Sequence, residues 1–402
     1  MNGESLPFFD RLFREMAHSG WEDWAVKLLA LVLVGLIGAG ATKLGRRIWP
    51  KLTSLWSASQ KIRHALAAVG PESKGLWIAE GRPIGTPLNY KNCIRVSKPI
   101  IVVANLKGGV GKTTIAANLI AHYANTKKER VLGIDLDFQG SLTACGLSEA
   151  NRNSLLTAQS DGGLSKSARL IDDRDAAWLH DAPDAIENVP TGKLIPAYYS
   201  LAAMENRVMV EWLLSKRTND VRYQLANVLH DPVIQSTYDR IIIDAPPRLT
   251  TACVQALCAA THVLIPTVLD DLSTEAVGAF ADQLRIHQAL WPNLKIVGVV
   301  GTMTDKSPLD EGKLREQPLS DVEVDALAAG RAALTAALQT ASAPLRDATF
   351  MPIKCFIPDK LELGRAAGHR IVYASTSQAA PFKVIREAFD QLGNEIDRRL
   401  SS

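Results

Sequence analysis

Apolar positions along this chain follow two different rhythms. From residue 96 onward, largely apolar runs of strand length at 100–104, 131–134, 240–243, 262–266 and 296–301 alternate with stretches whose apolar residues recur at helical spacing. Runs of Val, Ile and Leu without polar alternation are strands buried on both faces. The pattern therefore predicts an α/β fold, a mostly parallel, doubly wound sheet flanked by helices. Ligands of such sheets bind beyond the carboxyl ends of the strands. Two polar, Asp/Ser/Ala-rich stretches, 148–192 and 306–345, read as insertions in which partner specificity could reside.

Ahead of residue 96 the pattern changes. Leu28–Thr42 carries no charge. Extended to Trp24–Leu44 it spans roughly 21 residues, about 31 Å as a helix, which matches the hydrocarbon core of a bilayer. Lys27 and Lys43 sit near its ends, and Trp21, Trp24 and Trp49 flank it as an interfacial belt would. Lys43, Arg46, Arg47, Lys51, Lys61 and Arg63 after the span outnumber Arg11 and Arg14 before it, which puts the C-terminal side in the cytoplasm. Two other readings compete. A cleaved signal peptide, with Ala39-Gly40-Ala41 as its cleavage site, is disfavoured by the long acidic leader. A buried core helix is favoured only by the shortness of the uncharged run.

The expected organisation is an N-terminal amphipathic or interfacial segment over 1–23, with Phe9, Leu12, Phe13 and Met16 on one face, then a transmembrane helix over 24–44. A basic helix and linker follow over 45–95, with Gly70-Pro71, Pro83 and Pro87 marking the linker, and one catalytic domain fills 96–402.

Composition narrows this little. A charged fraction of 22% and a net charge of +3 are ordinary for a globular chain and neither demand nor exclude nucleic acid. Five cysteines, at 93, 145, 253, 258 and 355, lack C-x-x-C spacing, which argues against a disulfide framework and a zinc ribbon. Cys253 and Cys258, about one helical turn apart, read as buried packing positions.

Candidate chemistry begins where the first run ends. Residues 105–114 read Asn-Leu-Lys-Gly-Gly-Val-Gly-Lys-Thr-Thr and lead into a helical pattern from Ile115. Glycines 108, 109 and 111 let successive backbone N–H groups turn onto phosphate oxygens, a cradle that Val110 and Thr114 complete. Lys112 can reach the β- and γ-phosphates, and the Thr113 hydroxyl can hold Mg²⁺. This names a nucleoside triphosphate and Mg²⁺ as ligands. Asp135 and Asp137 close the second run two positions apart, so one can face the nucleotide while the other holds local structure. Asp244 ends the apolar run 240–243, where an acid has no hydrophobic reason to be, and its usual work is to hold Mg²⁺.

The loop departs from G-x-x-x-x-G-K-[ST] by carrying Leu106 at the first glycine position and an additional Lys107. That variant resembles the deviant Walker A loop of the ParA/MinD family, ATPases of the SIMIBI class of P-loop NTPases. In that family the extra lysine crosses a dimer interface to the partner's nucleotide. The resemblance thus implies an ATPase, a nucleotide-dependent homodimer and a catalytic role for Lys107 beside Lys112. Asp135-Leu-Asp-Phe-Gln-Gly140 is similar to the family's D-x-D-P-Q-G motif, which implies that Asp137 positions the attacking water near the metal. Phe138 replaces the usual proline there. Tyr238–Pro247 resembles the family's Walker B segment, which assigns Asp244 to Mg²⁺. Softer matches are Leu194–Ala197 before a first dimer-side helix, and Gly301–Asp305 with Phe356–Asp359. The last two imply adenine contacts from Met303, Pro358 and Asp359.

The expected function is a switch for positioning, assembly or control of an unknown protein partner, on the bacterial inner (cytoplasmic) membrane, single-pass, with the ATPase domain in the cytoplasm. Two alternatives remain open at this stage. One is a membrane-anchored tyrosine kinase of the same fold, although the tail after Tyr373 has no tyrosine. The other is a module that holds nucleotide without turnover. Arg365, Arg370, Lys383 and Arg386 are candidates for DNA contact, but they read as a solvated face, and DNA is not favoured as the main partner.

Overall fold

The computed structural model describes residues 76–78, 84–87, 90, 94 and 97–401, apart from 173–176, 181, 215, 218, 311 and 367. The amphipathic segment expected over 1–23, the span over 24–44 and the basic helix that follows lie outside the described residues. Among the described residues, no helix is long and apolar enough to cross a membrane.

After a 3-10 turn at Leu76–Ile78, the chain runs through β1 (Ile100–Val103), α1 (Lys112–Asn125), β2 (Val131–Asp135), α2 (Ser141–Gly146), α3 (Glu149–Ser160) and α4 (Lys166–Asp172). β3 (Asp184–Ile186), β4 (Val189–Ile195), α5 (Ser200–Leu213), α6 (Gln224–Leu229), α7 (Pro232–Thr237), β5 (Arg240–Asp244), α8 (Thr251–Ala259) and β6 (His262–Val268) follow. The rest is α9 (Asp271–Ile286), β7 (Lys295–Thr304), a small hairpin of β8 (Leu309–Asp310) and β9 (Lys313–Leu314), α10 (Asp321–Leu338), α11 (Ala343–Arg346), β10 (Ile357–Pro358), α12 (Leu361–Ala366) and α13 (Ala380–Leu400).

Eight of these strands form one sheet in the order β10-β7-β6-β1-β5-β2-β4-β3, parallel throughout except for the β3–β4 edge pair. Every residue of β1, β2 and β5 is buried, as strands covered on both faces must be. From β1 through α1 the chain moves one way along the sheet to β2. From β5 through α8 to β6, and from β6 through α9 to β7, it moves the other way. Right-handed crossovers in opposite directions place α1 and the α8/α9 pair on opposite faces, hence a doubly wound sheet.

The five apolar runs became the five central strands β1, β2, β5, β6 and β7. β3, much of β4 and β10 were not legible in the same way. They lie at or near the sheet edges, and β4 alternates buried and exposed positions through Pro190, Thr191 and Lys193. The two polar stretches are built into the fold. The first supplies α3, α4 and the β3–β4 hairpin. The second supplies the β8–β9 hairpin, α11 and α10, which opens with a Ser320/Glu323 capping box and buries Ala326, Leu327, Gly330, Leu334 and Leu338.

The stretch read as linker also differs from expectation. The compact unit begins at Lys74. Trp77, Tyr90 and Ile94, all upstream of residue 96, are buried in it.

Candidate functional site: a phosphate loop and a cluster of carboxylates

The site forms where β1, β2 and β5 end. After β1 the chain passes through Asn105, whose amide donates to the Pro266 carbonyl at 2.8 Å and whose side-chain oxygen accepts the Lys107 N–H at 3.1 Å. Thr302 on β7 clamps the other side, donating to the Val110 carbonyl at 3.1 Å. The loop between them is fixed in shape while Gly108 and Gly109 stay exposed. Gly111 is the N-cap of α1 at φ 80°, a left-handed backbone that suits glycine. Its turn leaves the first N–H groups of a 14-residue helix directed at the loop mouth.

Lys112 is buried, and its ammonium donates to the Lys107 carbonyl at 2.8 Å across the loop. Burial lowers its pKa, an effect opposed by the negative charges of Asp244 and Asp137. Thr113 Oγ1 donates to Asp244 Oδ2 at 2.7 Å. Asp244 is buried, and its other oxygen, Oδ1, has no hydrogen-bond partner.

The sheet register explains the electrostatics. Asp135 and Asp244 are directly paired across β2 and β5. Burial first, and then the charge of Asp135, push Asp244 well above the usual carboxylate range. Burial likewise pushes Asp135 up, to about 7, against the hydrogen bonds from Thr143. Asp135 is satisfied locally, accepting from the Thr143 N–H and hydroxyl, both at 2.8 Å, and from the Asp137 N–H at 3.1 Å. It is thus the carboxylate that holds structure. Asp137 is left half-buried at the rim, with its Oδ1 accepting the Gln139 N–H at 3.0 Å. Gly140 closes this turn at φ 66°, where a Cβ would lie 2.8 Å from the Ala197 carbonyl.

An unsatisfied buried carboxylate oxygen beside a threonine hydroxyl suits a hard divalent cation. The donor set fits Mg²⁺, with Thr113 and Asp244 as its holders and Asp137 at the edge. A cavity of about 130 Å³ opens next to the loop, lined by Gly111, Thr114, Met303, Pro358, Asp359 and Leu363 among others. The three residues expected at an adenine are therefore gathered beside the phosphate cradle. Met303 reaches this position with φ 53°, an uncommon conformation for a non-glycine residue.

The chain is similar to known proteins in sequence and in fold. A family model described as an AAA domain matches residues 98–296. Soj of Bacillus subtilis, a sporulation initiation inhibitor protein, is 34% identical over 208 residues, which cover 51% of this chain and 73% of Soj. The chromosome partitioning protein ParA of Caulobacter vibrioides is 32% identical over 225 residues, covering 56% and 74%. The chain belongs to the ParA/Soj family of P-loop ATPases. A Cyanothece McdA–ATP complex, 19% identical, superimposes over 75% of this chain and 97% of its own with a TM-score of 0.52, which extends the likeness of fold.

In this ParA/Soj-type ATPase the sequence-derived candidates fall into three groups. Gly108, Gly109, Val110, Gly111, Lys112, Thr113, Thr114, Asp137 and Asp244 surround one loop mouth, and Met303, Pro358 and Asp359 line the adjoining cavity. Lys107 behaves differently. Its ammonium is held within its own chain by Ser273 Oγ at 2.6 Å and Asp270 Oδ1 at 3.3 Å, at the N-terminus of α9. Sequence reasoning missed Asn105, Thr143 and Thr302, which shape the loops, and the Asp270–Ser273 pair. Nothing local marks these residues, because each partner lies on a different element. Among the described cysteines, 145, 253, 258 and 355 are free and buried, as packing residues are.

Proposed function

We propose that this chain is a membrane-tethered Mg-ATP hydrolase that dimerises around nucleotide and acts as a switch for positioning, assembly or control of a protein partner. The observation that carries the reading is Asp244, buried, bonded through one oxygen to Thr113 and left open at the other, beside a loop whose lysine and helix N-terminus face the same point. Thr113 and Asp244 would hold Mg²⁺, which when bound supplies positive charge against the phosphates. Lys112 would exchange the Lys107 carbonyl for a phosphate oxygen, and the loop N–H groups would take the remaining charge. Asp137, at the rim, would orient the attacking water. The cavity beside Gly111 would receive the base.

Lys107 of a second copy would complete the charge balance, as the family resemblance implies. It must first leave Asp270 and Ser273. ATP therefore drives dimerisation only if its γ-phosphate favours the dimer by more than these intrachain contacts favour the monomer. The names of ParA and Soj support an output in positioning or partition. The apolar segment 24–44 and its basic flank support an inner-membrane tether with the ATPase domain in the cytoplasm. Tyr373, the last tyrosine of the chain, is buried and hydrogen-bonded to Asp390 and Thr126, which speaks against a kinase that modifies its own tail. Of the four candidate DNA residues, Arg386 is engaged with the Ser375 and Ser377 carbonyls, while Arg365, Arg370 and Lys383 are exposed. DNA remains the less favoured partner.

Phosphate release by the full chain, measured with lipid vesicles, with DNA and with neither, tests the reading. Turnover that needs Mg²⁺, together with flotation of the chain on vesicles, is expected. Tight ATP binding with no phosphate release under any condition would instead indicate a nucleotide-holding module.

A further inference from the structure

Trp77, Gly85 and Tyr90 lie upstream of the matched family region, which begins at residue 98, yet Trp77 and Tyr90 are fastened to the part of the domain that follows Asp244, while Gly85 is held by Asp220 ahead of it. The Trp77 indole N–H donates to the Leu249 carbonyl at 3.1 Å. Leu249 lies in the short connection between Asp244, which ends β5, and α8. That connection is already gripped at its far end, where Glu205 on α5 accepts the Ala252 N–H at 2.9 Å. Trp77 is 4% exposed and stacks on Trp212 of α5, with centroids 6.0 Å apart and planes at 19°. The Trp77 carbonyl accepts from Arg222 Nη1 at 2.7 Å. Arg222 is buried and ion-paired to Asp220, and Asp220 Oδ2 accepts the Gly85 N–H at 3.0 Å. Tyr90 donates its hydroxyl to the Cys258 carbonyl near the end of α8 and packs edge-on against Tyr223.

The anchors thus follow α8 from the connection that precedes it, at Leu249, to its last turn, at Cys258. A buried indole N–H must find an acceptor, and the one that Trp77 uses lies on the connection that continues from Asp244, so a displacement of that connection bears directly on this bond. We propose that Trp77, Gly85 and Tyr90 anchor a strap that couples the chain ahead of the matched family region to the nucleotide site through the Trp77–Leu249 contact. The proposal rests on Asp244 serving Mg-nucleotide. A shift of the connection when ligand binds at Asp244 changes what Trp77 can hold. By linkage, whatever pulls on or releases the strap changes the affinity at Asp244 in equal measure.

The experiment is amide hydrogen exchange on the full chain with and without Mg²⁺ and a slowly hydrolysed ATP analogue, with nucleotide binding followed separately by calorimetry. In the natural sequence, nucleotide is expected to slow exchange at 245–252 and, by about fivefold, at 76–94. Trp77→Phe keeps a ring for Trp212 but has no N–H for Leu249. In this variant nucleotide should still bind and protect 245–252, while 76–94 no longer responds. Binding with protection at 245–252 and unchanged exchange at 76–94 in the natural sequence overturns the strap and leaves the nucleotide reading standing. Absence of binding overturns both. The decisive comparison uses the unaltered chain, so it does not depend on the variant folding.

Discussion

Thr113 Oγ1 donates to Asp244 Oδ2 at 2.7 Å, joining the first turn of α1 to the end of β5 across 131 positions of sequence. The contact brings together two oxygens of the kind that magnesium takes and leaves the other carboxylate oxygen without a hydrogen-bond partner. Replacing Asp244 by Asn keeps the shape and the Thr113 contact but removes the charge. Because burial and Asp135 both oppose ionisation of Asp244, Asp244→Asn should leave the ligand-free chain as stable as before or more so. ATP hydrolysis should fall about 100-fold, and the rise in melting temperature on adding Mg-ATP should disappear. Thermal melts with and without Mg-ATP check both halves; a full ligand-induced rise in the variant would remove Asp244 from the metal.

The two loop lysines should separate cleanly. Lys112→Ala is expected to weaken ATP binding about 100-fold, because it removes the buried ammonium that would exchange the Lys107 carbonyl for a phosphate oxygen. Lys107→Ala should bind ATP at close to normal affinity and neither dimerise nor hydrolyse it. Calorimetry, sedimentation with ATP and a phosphate assay distinguish them. Hydrolysis by Lys107→Ala at the normal rate would rule out action in trans.

His262 supplies a pH dependence. It lies on β6, half-buried, and its pKa is lowered to about 4, chiefly by burial and then by Lys295 and Arg240. Between the unfolded value near 6.5 and that folded value, the unfolded chain binds the extra proton. Stability is therefore full above about pH 6.5 and is lost as pH falls toward 4, on the order of 2 kcal/mol from this residue. Denaturant titrations at pH 7.0, 5.5 and 4.5 should show a shallower decline for His262→Gln than for the natural chain. Equal declines would mean that other groups carry the effect.

Gly393 on α13 faces the His122 ring on α1, and a Cβ there would collide with it. Tyr123 also donates to the Gly393 carbonyl at 3.1 Å, so the two helices have little room to separate. Gly393→Ala should destabilise the domain by about 1–3 kcal/mol through overpacking, despite the better helix propensity of alanine. A melting temperature unchanged or raised would show that α13 can shift at no cost.

The residues themselves determined the chemistry of the loop and the core of the sheet. Phosphate binding depends on glycines, a lysine and a threonine contiguous in the chain, and their backbone geometry is local, so Gly108–Thr114 could be read directly. β1, β2 and β5 were legible because burial on both faces leaves nothing polar to break the run, and Asp244 stood out against that background. Tertiary structure decided the rest, because the partners are far apart in sequence. Asp135 and Asp244 are neighbours only through the pairing of β2 with β5, and it is the Thr143 contacts that make Asp135 the structural one of the acidic pair. Lys107 meets Asp270 across 163 positions, and Trp77 meets Leu249 across 172. No spacing in the sequence encodes such contacts, which exist because separate elements are packed onto one sheet.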